Sequence, residues 1–238
     1  TSVCAFQGHF AGNVVRCSNS ENPPTQPYNR GRRRACMSHC CFICNIGSLQ
    51  KKTPQVLLIN EHTLSQSEFK RIVEAAPPHV YVKLAKSAWM NEEIMCILVR
   101  LLHEHLKDEW DLYHVVLMLD AFSGHIHYNV QLQCNRFHIA LIIIPANLTW
   151  LLQPCDTHVF AIYKKYMRKL WSEHVDKSPD GVIDMISFLT IVFAVIMDIV
   201  QATDWSYAFK EDGFYTHFGY LSNFIMKQLK YESKPPIV

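Results

Sequence analysis

Two short unbroken apolar runs, Val115–Leu119 (VVLML) and Ile139–Ile144 (IALIII), stand out from the mixed pattern around them. Runs of this length without polar interruption predict strands buried on both faces of a helix-covered sheet. The stretch between them, Tyr128–Cys134, is long enough for a short crossover helix, so the three predict a βαβ unit with parallel strands and a right-handed connection. Upstream, Ala35–Ile46 and Gln55–Asn60 read as an antiparallel pair joined by a Gly-Ser-rich turn that ends at Pro54. A helix over Ser65–Ala75, stopped by Pro77-Pro78, and a strand over Val80–Leu84 follow.

Helical spacing governs much of the rest. Asn91 is a good N-cap for Glu92–Leu106, with Glu92 and Glu93 at the positive end of the dipole and Ile94, Ile97, Leu98, Leu101 and His105 on one face. Pro145 ends the second apolar strand, and a loop (PANLTWLLQP) leads into an amphipathic helix over Thr157–Trp171. Val159, Phe160, Ile162, Tyr163, Tyr166, Met167, Leu170 and Trp171 form its apolar side, opposite Lys164, Lys165, Arg168 and Lys169. Ile186–Met197 reads as a buried helix, shorter than the roughly 20 residues that span a bilayer, so no membrane partner is expected.

Residues 1–34 are broken by Pro23, Pro24 and Pro27 and carry a basic cluster at Arg30, Arg32, Arg33 and Arg34, which predicts loop around a short strand at Gly12–Arg16. The whole predicts an α/β domain, a mixed sheet flanked by helices over residues 1–175, with a helical C-terminal region of the same domain over 176–238.

Composition narrows the function classes. Of 238 residues, 49% are apolar and 18% charged, which excludes a disordered chain. The net charge of +2 lacks the footprint of a dedicated nucleic-acid-binding domain, so contact with a polyanion would rest on local patches: Arg30–Arg34, or the face formed by Lys164, Lys165, Arg168 and Lys169. Nine scattered cysteines, an odd number in a chain that needs no staples, point to a reducing compartment. Cys36, Cys40, Cys41 and Cys44, with His39 nearby, lack the second separated ligand pair of a zinc site and read as buried strand residues. The chain begins at Thr1 with no signal-like sequence, which predicts a piece of a longer intracellular protein.

Asp120 directly follows VVLML at the carboxyl end of its strand, where open α/β sheets place reactive groups. Asp156 lies at the mouth of the helix Thr157–Trp171. Two carboxylates meeting at one sheet edge suit Mg²⁺, and ions held this way activate an attacking oxygen and stabilise a leaving one in phosphodiester cleavage. By spacing alone, a strand-end loop residue and a helix cap remain the ordinary reading.

The segment from Val115 to Trp171 resembles the catalytic core of the pogo/Tigger-type DDE transposases, the DDE superfamily endonucleases. Their pattern is matched in order by Asp120, His125, Pro145, Thr149, Gln153, Pro154, Asp156, Phe160 and Lys164. The likeness is specific over about 60 residues and fainter outside them: the strand pair near Ala35–Asn60, WMNEE at a helix start, and Trp205, Ala208, Phe209 and Gly213 as a W-x-x-A-F-x-x-x-G signature. The resemblance implies an RNase H-like fold and three catalytic acids, of which Asp120 is the second and Asp156 the third. Mg²⁺ or Mn²⁺ would sit on Asp120 and Asp156, and His125 would orient phosphate or a metal-bound water. His127 reads as a loop histidine.

The same resemblance implies DNA as partner. The basic helix face of Lys164, Lys165, Arg168 and Lys169, following Asp156 on the same helix, would flank the scissile phosphate. A nuclear location is expected, with a homodimer as a further option. In the intact enzyme, water and later a 3′-hydroxyl would attack a phosphodiester in line. The first acid has no counterpart, since Glu21 in its Pro-rich loop is a poor candidate. Two expectations follow: the opening strand lies upstream of Thr1, or the copy has decayed into a catalytically inactive nucleic-acid-binding module.

Overall fold

A computed structural model of the chain describes residues 2–12 (backbone only), 37–86, 88–109, 112–178, 183–214 and 222–230. Six strands, β1 (Ser2–Gly12), β2 (Met37–Cys44), β3 (Gln55–Asn60), β4 (Val80–Ala85), β5 (His114–Asp120) and β6 (Ala140–Ile144), form one sheet in the order β4-β3-β2-β1-β5-β6. β1–β2 and β2–β3 are antiparallel, whereas β3–β4, β1–β5 and β5–β6 are parallel. Three antiparallel strands running into two parallel ones is the RNase H-like order, with β4 added at the β3 edge.

The expectation of loop at the start of the chain, with its opening strand missing, is corrected by β1. Its register runs from Ala5↔Cys44 to Gly12↔Met37 against β2 and from Ser2↔His114 to Phe6↔Met118 against β5. The segment SVCAFQGHFAG holds two glycines and little alternation; pairing along both edges, not local propensity, makes it a strand. Residues 13–16 of the expected short strand, Glu21 and the cluster Arg30–Arg34 lie outside the described residues.

Helices cover both faces. The turn after β2 contains α1 (Gly47–Gln50), and α2 (Gln66–Ala75) starts with a capping box between Ser65 and Glu68. Asn91 Oδ1 accepts from Ile94 N–H at the start of α3 (Glu92–Leu106), and α4 (Tyr128–Arg136) is the crossover between β5 and β6. A single turn, α5 (Thr149–Leu152), occupies the expected loop and precedes a π-helical turn, Cys155–Val159, that opens α6 (Phe160–Val175). Then come α7 (Met185–Val195), capped by Asp184 and continued by a second π turn over Ile196–Gln201, α8 (Ser206–Glu211) and α9 (Asn223–Gln228). Among the described residues no helix is long and apolar enough to cross a membrane.

Alternation along the strands sorts the core into two layers. Cys40, Phe42, Cys44, Val56, Leu58, Val115, Leu117 and Leu119 face α3 and α4, whereas Met37, Cys41, Ile43, Leu57, Ile59 and Met118 face α2, α6, α7 and α8. Cys41 therefore points away from Cys40 and Cys44, so the described part of the cysteine cluster cannot converge on one ion; all three are buried.

Three sequence expectations shift. The buried face of α3 is Ile94, Met95, Leu98, Val99, Leu102 and Leu106, rotated from the expected one, with Ile97, Leu101 and His105 only half-buried. β6 is the last strand of the sheet and not a doubly covered one: Ile142 is 46% exposed. On α6, Ile162 also faces outward, about 100° round the helix from Tyr163 and off the face that Phe160, Tyr163 and Met167 bury.

Candidate functional site

Asp120 is the last residue of β5, and its even-numbered position gives it the face of Met118, under α6 and α7. The turn that follows folds back on it. Phe122 N–H donates to Asp120 Oδ1 at 3.2 Å, and His125 Nδ1–H donates to the same oxygen at 2.6 Å. His125 is 2% exposed, its ring set edge-on to Phe122 at 5.4 Å between centroids, and its Nε2 is buried with no partner among the described residues. A side-chain methyl at Gly124 would touch the Phe122 ring at 3.1 Å and the Asn91 backbone at 3.4 Å, so this tight turn favours glycine. His127 instead caps α4, accepting from Asn129 N–H, with the Glu92 carboxylate 3.0 Å from its ring.

Asp156 comes from the π turn, a form of backbone found disproportionately at functional sites. The turn packs against β1. The Gln153 carbonyl accepts from both Asp156 N–H (2.8 Å) and Thr157 N–H (3.0 Å). Burial and then the charge of Asp120 push the Asp156 carboxyl above its ordinary range, while Lys164 on the next helical turns draws it back down. The two acids are thus near enough for the charge of one to act on the other. Beside them, burial, then the contact with Cys41 and lastly the charges of Asp156 and Asp212 raise the Cys155 thiol well above its usual range, which disfavours the thiolate.

Of the four basic residues, all exposed on α6, Lys164 is the one that reaches Asp156 electrostatically. Arg168 Nε donates to the Lys164 carbonyl at 3.1 Å. Lys169 lies 3.9 Å from Glu173 and 5.9 Å from the centre of the Tyr166 ring, so part of this face is spent within the helix.

Sequence reasoning missed a third carboxylate. Asp212, fully buried at the C-terminal end of α8, accepts from Thr157 Oγ1–H at 2.8 Å and from His158 Nε2–H at 3.1 Å. His158 also packs against Tyr207 and Phe224. The clue was position: Asp212 directly precedes Gly213, the end of the late signature, whose Trp205, Ala208 and Phe209 are all fully buried.

The donor set suits one hard cation. Two carboxylates on one sheet face, one of them destabilised in its charged form by the other, are what a Mg²⁺ or Mn²⁺ ion relieves, with waters and substrate oxygens completing the shell. Among the described residues no group of three His, Cys, Asp or Glu side chains converges, and β1, which runs parallel to β5, contains no acid.

The pattern of the DDE superfamily endonucleases matches residues 38–213. The catalytic domain of Mos1 mariner transposase is 13% identical, with a TM-score of 0.41 over 90% of this chain and 84% of that one. The Mos1 transposase paired-end complex with left transposon end is 14% identical (TM-score 0.39, 91% of this chain), and the Mos1 mariner paired-end complex with Mn is 16% identical (TM-score 0.37, 91%). The chain spans 56% of the Mos1 chains in both complexes. No curated protein matches it significantly.

Proposed function

The chain belongs to the DDE superfamily endonucleases, and from that premise we propose that it is a pogo/Tigger-type domain whose Asp120 and Asp156 hold a divalent cation, Mg²⁺ or Mn²⁺, against a DNA phosphate. The observation that carries this reading is placement: Asp120 ends β5 and Asp156 sits in the π turn against the neighbouring β1, on the sheet face covered by α6 and α7, where burial and the charge of Asp120 raise the Asp156 carboxyl. Two like charges brought together on one sheet face are unfavourable without a counter-charge. When bound, the cation would supply Lewis acidity at the phosphoryl oxygens. His125 orients Asp120 through its Nδ1–H and is too buried to reach substrate directly, so its part is to fix a carboxylate rather than to move a proton on DNA. Lys164 adds positive charge beside Asp156, where a phosphate backbone would pass.

A second reading, that the domain binds DNA without cutting it, is favoured by the acid-free β1 alongside β5. Both are tested by incubating the purified chain with supercoiled plasmid and Mg²⁺ or Mn²⁺. Nicking that is lost in both Asp120→Asn and Asp156→Asn establishes the nuclease. Cation-dependent DNA binding without nicking, weakened by the same substitutions, establishes the second reading. Cation-independent behaviour unchanged in both variants refutes the site.

A further inference from the structure

Asp212 is an odd residue to find where it is. It caps the C-terminal end of α8, where the helix dipole disfavours an acid, and its side chain is wholly removed from water. Both carboxylate oxygens are nevertheless satisfied, and both donors come from one place: Thr157 and His158, the two residues after Asp156 in the π turn. Upstream, the same turn is held by the Gln153 carbonyl, which takes the N–H groups of Asp156 and Thr157 and lies 3.1 Å from the Thr157 hydroxyl, whose single hydrogen has its shorter contact, 2.8 Å, with Asp212. The π turn has its own bond, from Phe160 N–H to the Cys155 carbonyl, in place of the regular ladder of an α-helix, and these side-chain ties add to it. Asp156 lies between the two anchors, and the Cys155 thiol next to it feels both Asp156 and Asp212.

We propose that Asp212 is a positioning residue: its clamp on Thr157 and His158 fixes the π turn so that Asp156 is presented beside Asp120 for cation binding. The proposal rests on the reading of Asp120 and Asp156 as the cation pair, and adds what holds one of them in place. It also gives the late signature a physical purpose. Trp205, whose Nε1–H donates to the Val200 carbonyl at 2.9 Å, together with Ala208 and Phe209, locks α8 into the core and so sets the height from which Asp212 reaches back. Gly213, at φ +87°, lets the chain turn directly after it.

The test compares Asp212→Asn and Thr157→Val with Val99→Ala, a core control on the opposite sheet face, and with Asp156→Asn. Three quantities are measured on the full chain: Mn²⁺ affinity by electron paramagnetic resonance of the free ion, hydrogen exchange of the amides of residues 155–159, and melting temperature. Asp212→Asn and Thr157→Val are expected to weaken Mn²⁺ binding at least tenfold and to speed exchange in the π turn. Val99→Ala is expected to lower the melting temperature with both other quantities unchanged. Wild-type affinity and wild-type exchange in the two clamp variants overturn the proposal. Thr157→Val keeps the buried acid and its His158 contact, so the test stands even where Asp212→Asn does not fold. Should Asp156→Asn bind Mn²⁺ like the wild type, the cation-pair reading fails; exchange then decides the clamp alone, faster exchange supporting it and unchanged exchange overturning it.

Discussion

The bond from His125 to Asp120 is open to a double-mutant cycle with a worked magnitude. A hydrogen bond to a charged group contributes roughly 1.5–3 kcal/mol. The Asp120 side chain is 32% exposed, so solvent screening lowers the expected coupling to about 1–2 kcal/mol. His125→Ala loses this bond and empties a pocket that buries all but 3% of the ring, so its total cost should approach about 3–4 kcal/mol, within the range for large-to-small core changes. Asp120→Ala removes the acceptor, leaving the His125 Nδ1–H buried and unpaired at a cost of about 1–3 kcal/mol, offset in part because the charge that disfavours ionised Asp156 is also gone. Urea unfolding of wild type, both single variants and the double variant gives the coupling directly. A coupling below about 0.5 kcal/mol, the limit of ordinary additivity, would refute the claim that His125 acts by holding Asp120.

Other outcomes are equally concrete. Because the folded-state carboxyl of Asp156 titrates above its unfolded value, the fold retains a proton that the unfolded chain has lost, and stability falls as pH rises through that window; relative to wild type, Asp156→Asn should therefore gain stability above the window and show no pH-dependent gain below it, as read by melting temperature against pH. Replacing Lys164, Lys165, Arg168 and Lys169 singly with Ala should flatten the slope of log affinity for DNA against log salt by about 0.9 for each side chain that meets a phosphate; four unchanged slopes remove this face from the interface. Gly213→Ala should cost about 1–2 kcal/mol in urea, since φ +87° disfavours a side chain and the new methyl would lie 2.9 Å from Ile225 Cδ1.

The βαβ unit was legible because its strands are short, apolar and bounded, and Asp120 could be placed by counting to the end of VVLML. The β2–β3 pair was legible for the same reason. β1 was not: its residues carry little β signal, and it exists because β2 and β5 both need a partner. Asp156 was found through the matched pattern, yet the wider backbone turn bearing it was invisible, since the residues of a π turn read as ordinary helix. Asp212 could not be paired with Thr157 by any periodicity, because they meet only after α6, α7 and α8 have packed on the sheet. Local pattern reports elements; it is silent on ties between residues 55 positions apart.

That last tie bears on biogenesis. Chains are made from the amino end, and contacts between distant segments form late because loop closure must come first. The strands around Asp120 can pair while the chain is still growing, whereas the fastening of the π turn waits until residue 212 has been synthesised and its helix docked. A proteolytic nick between α7 and α8 would accordingly leave a sheet able to fold with its second acid poorly aimed, so ligand affinity should decay before global structure does.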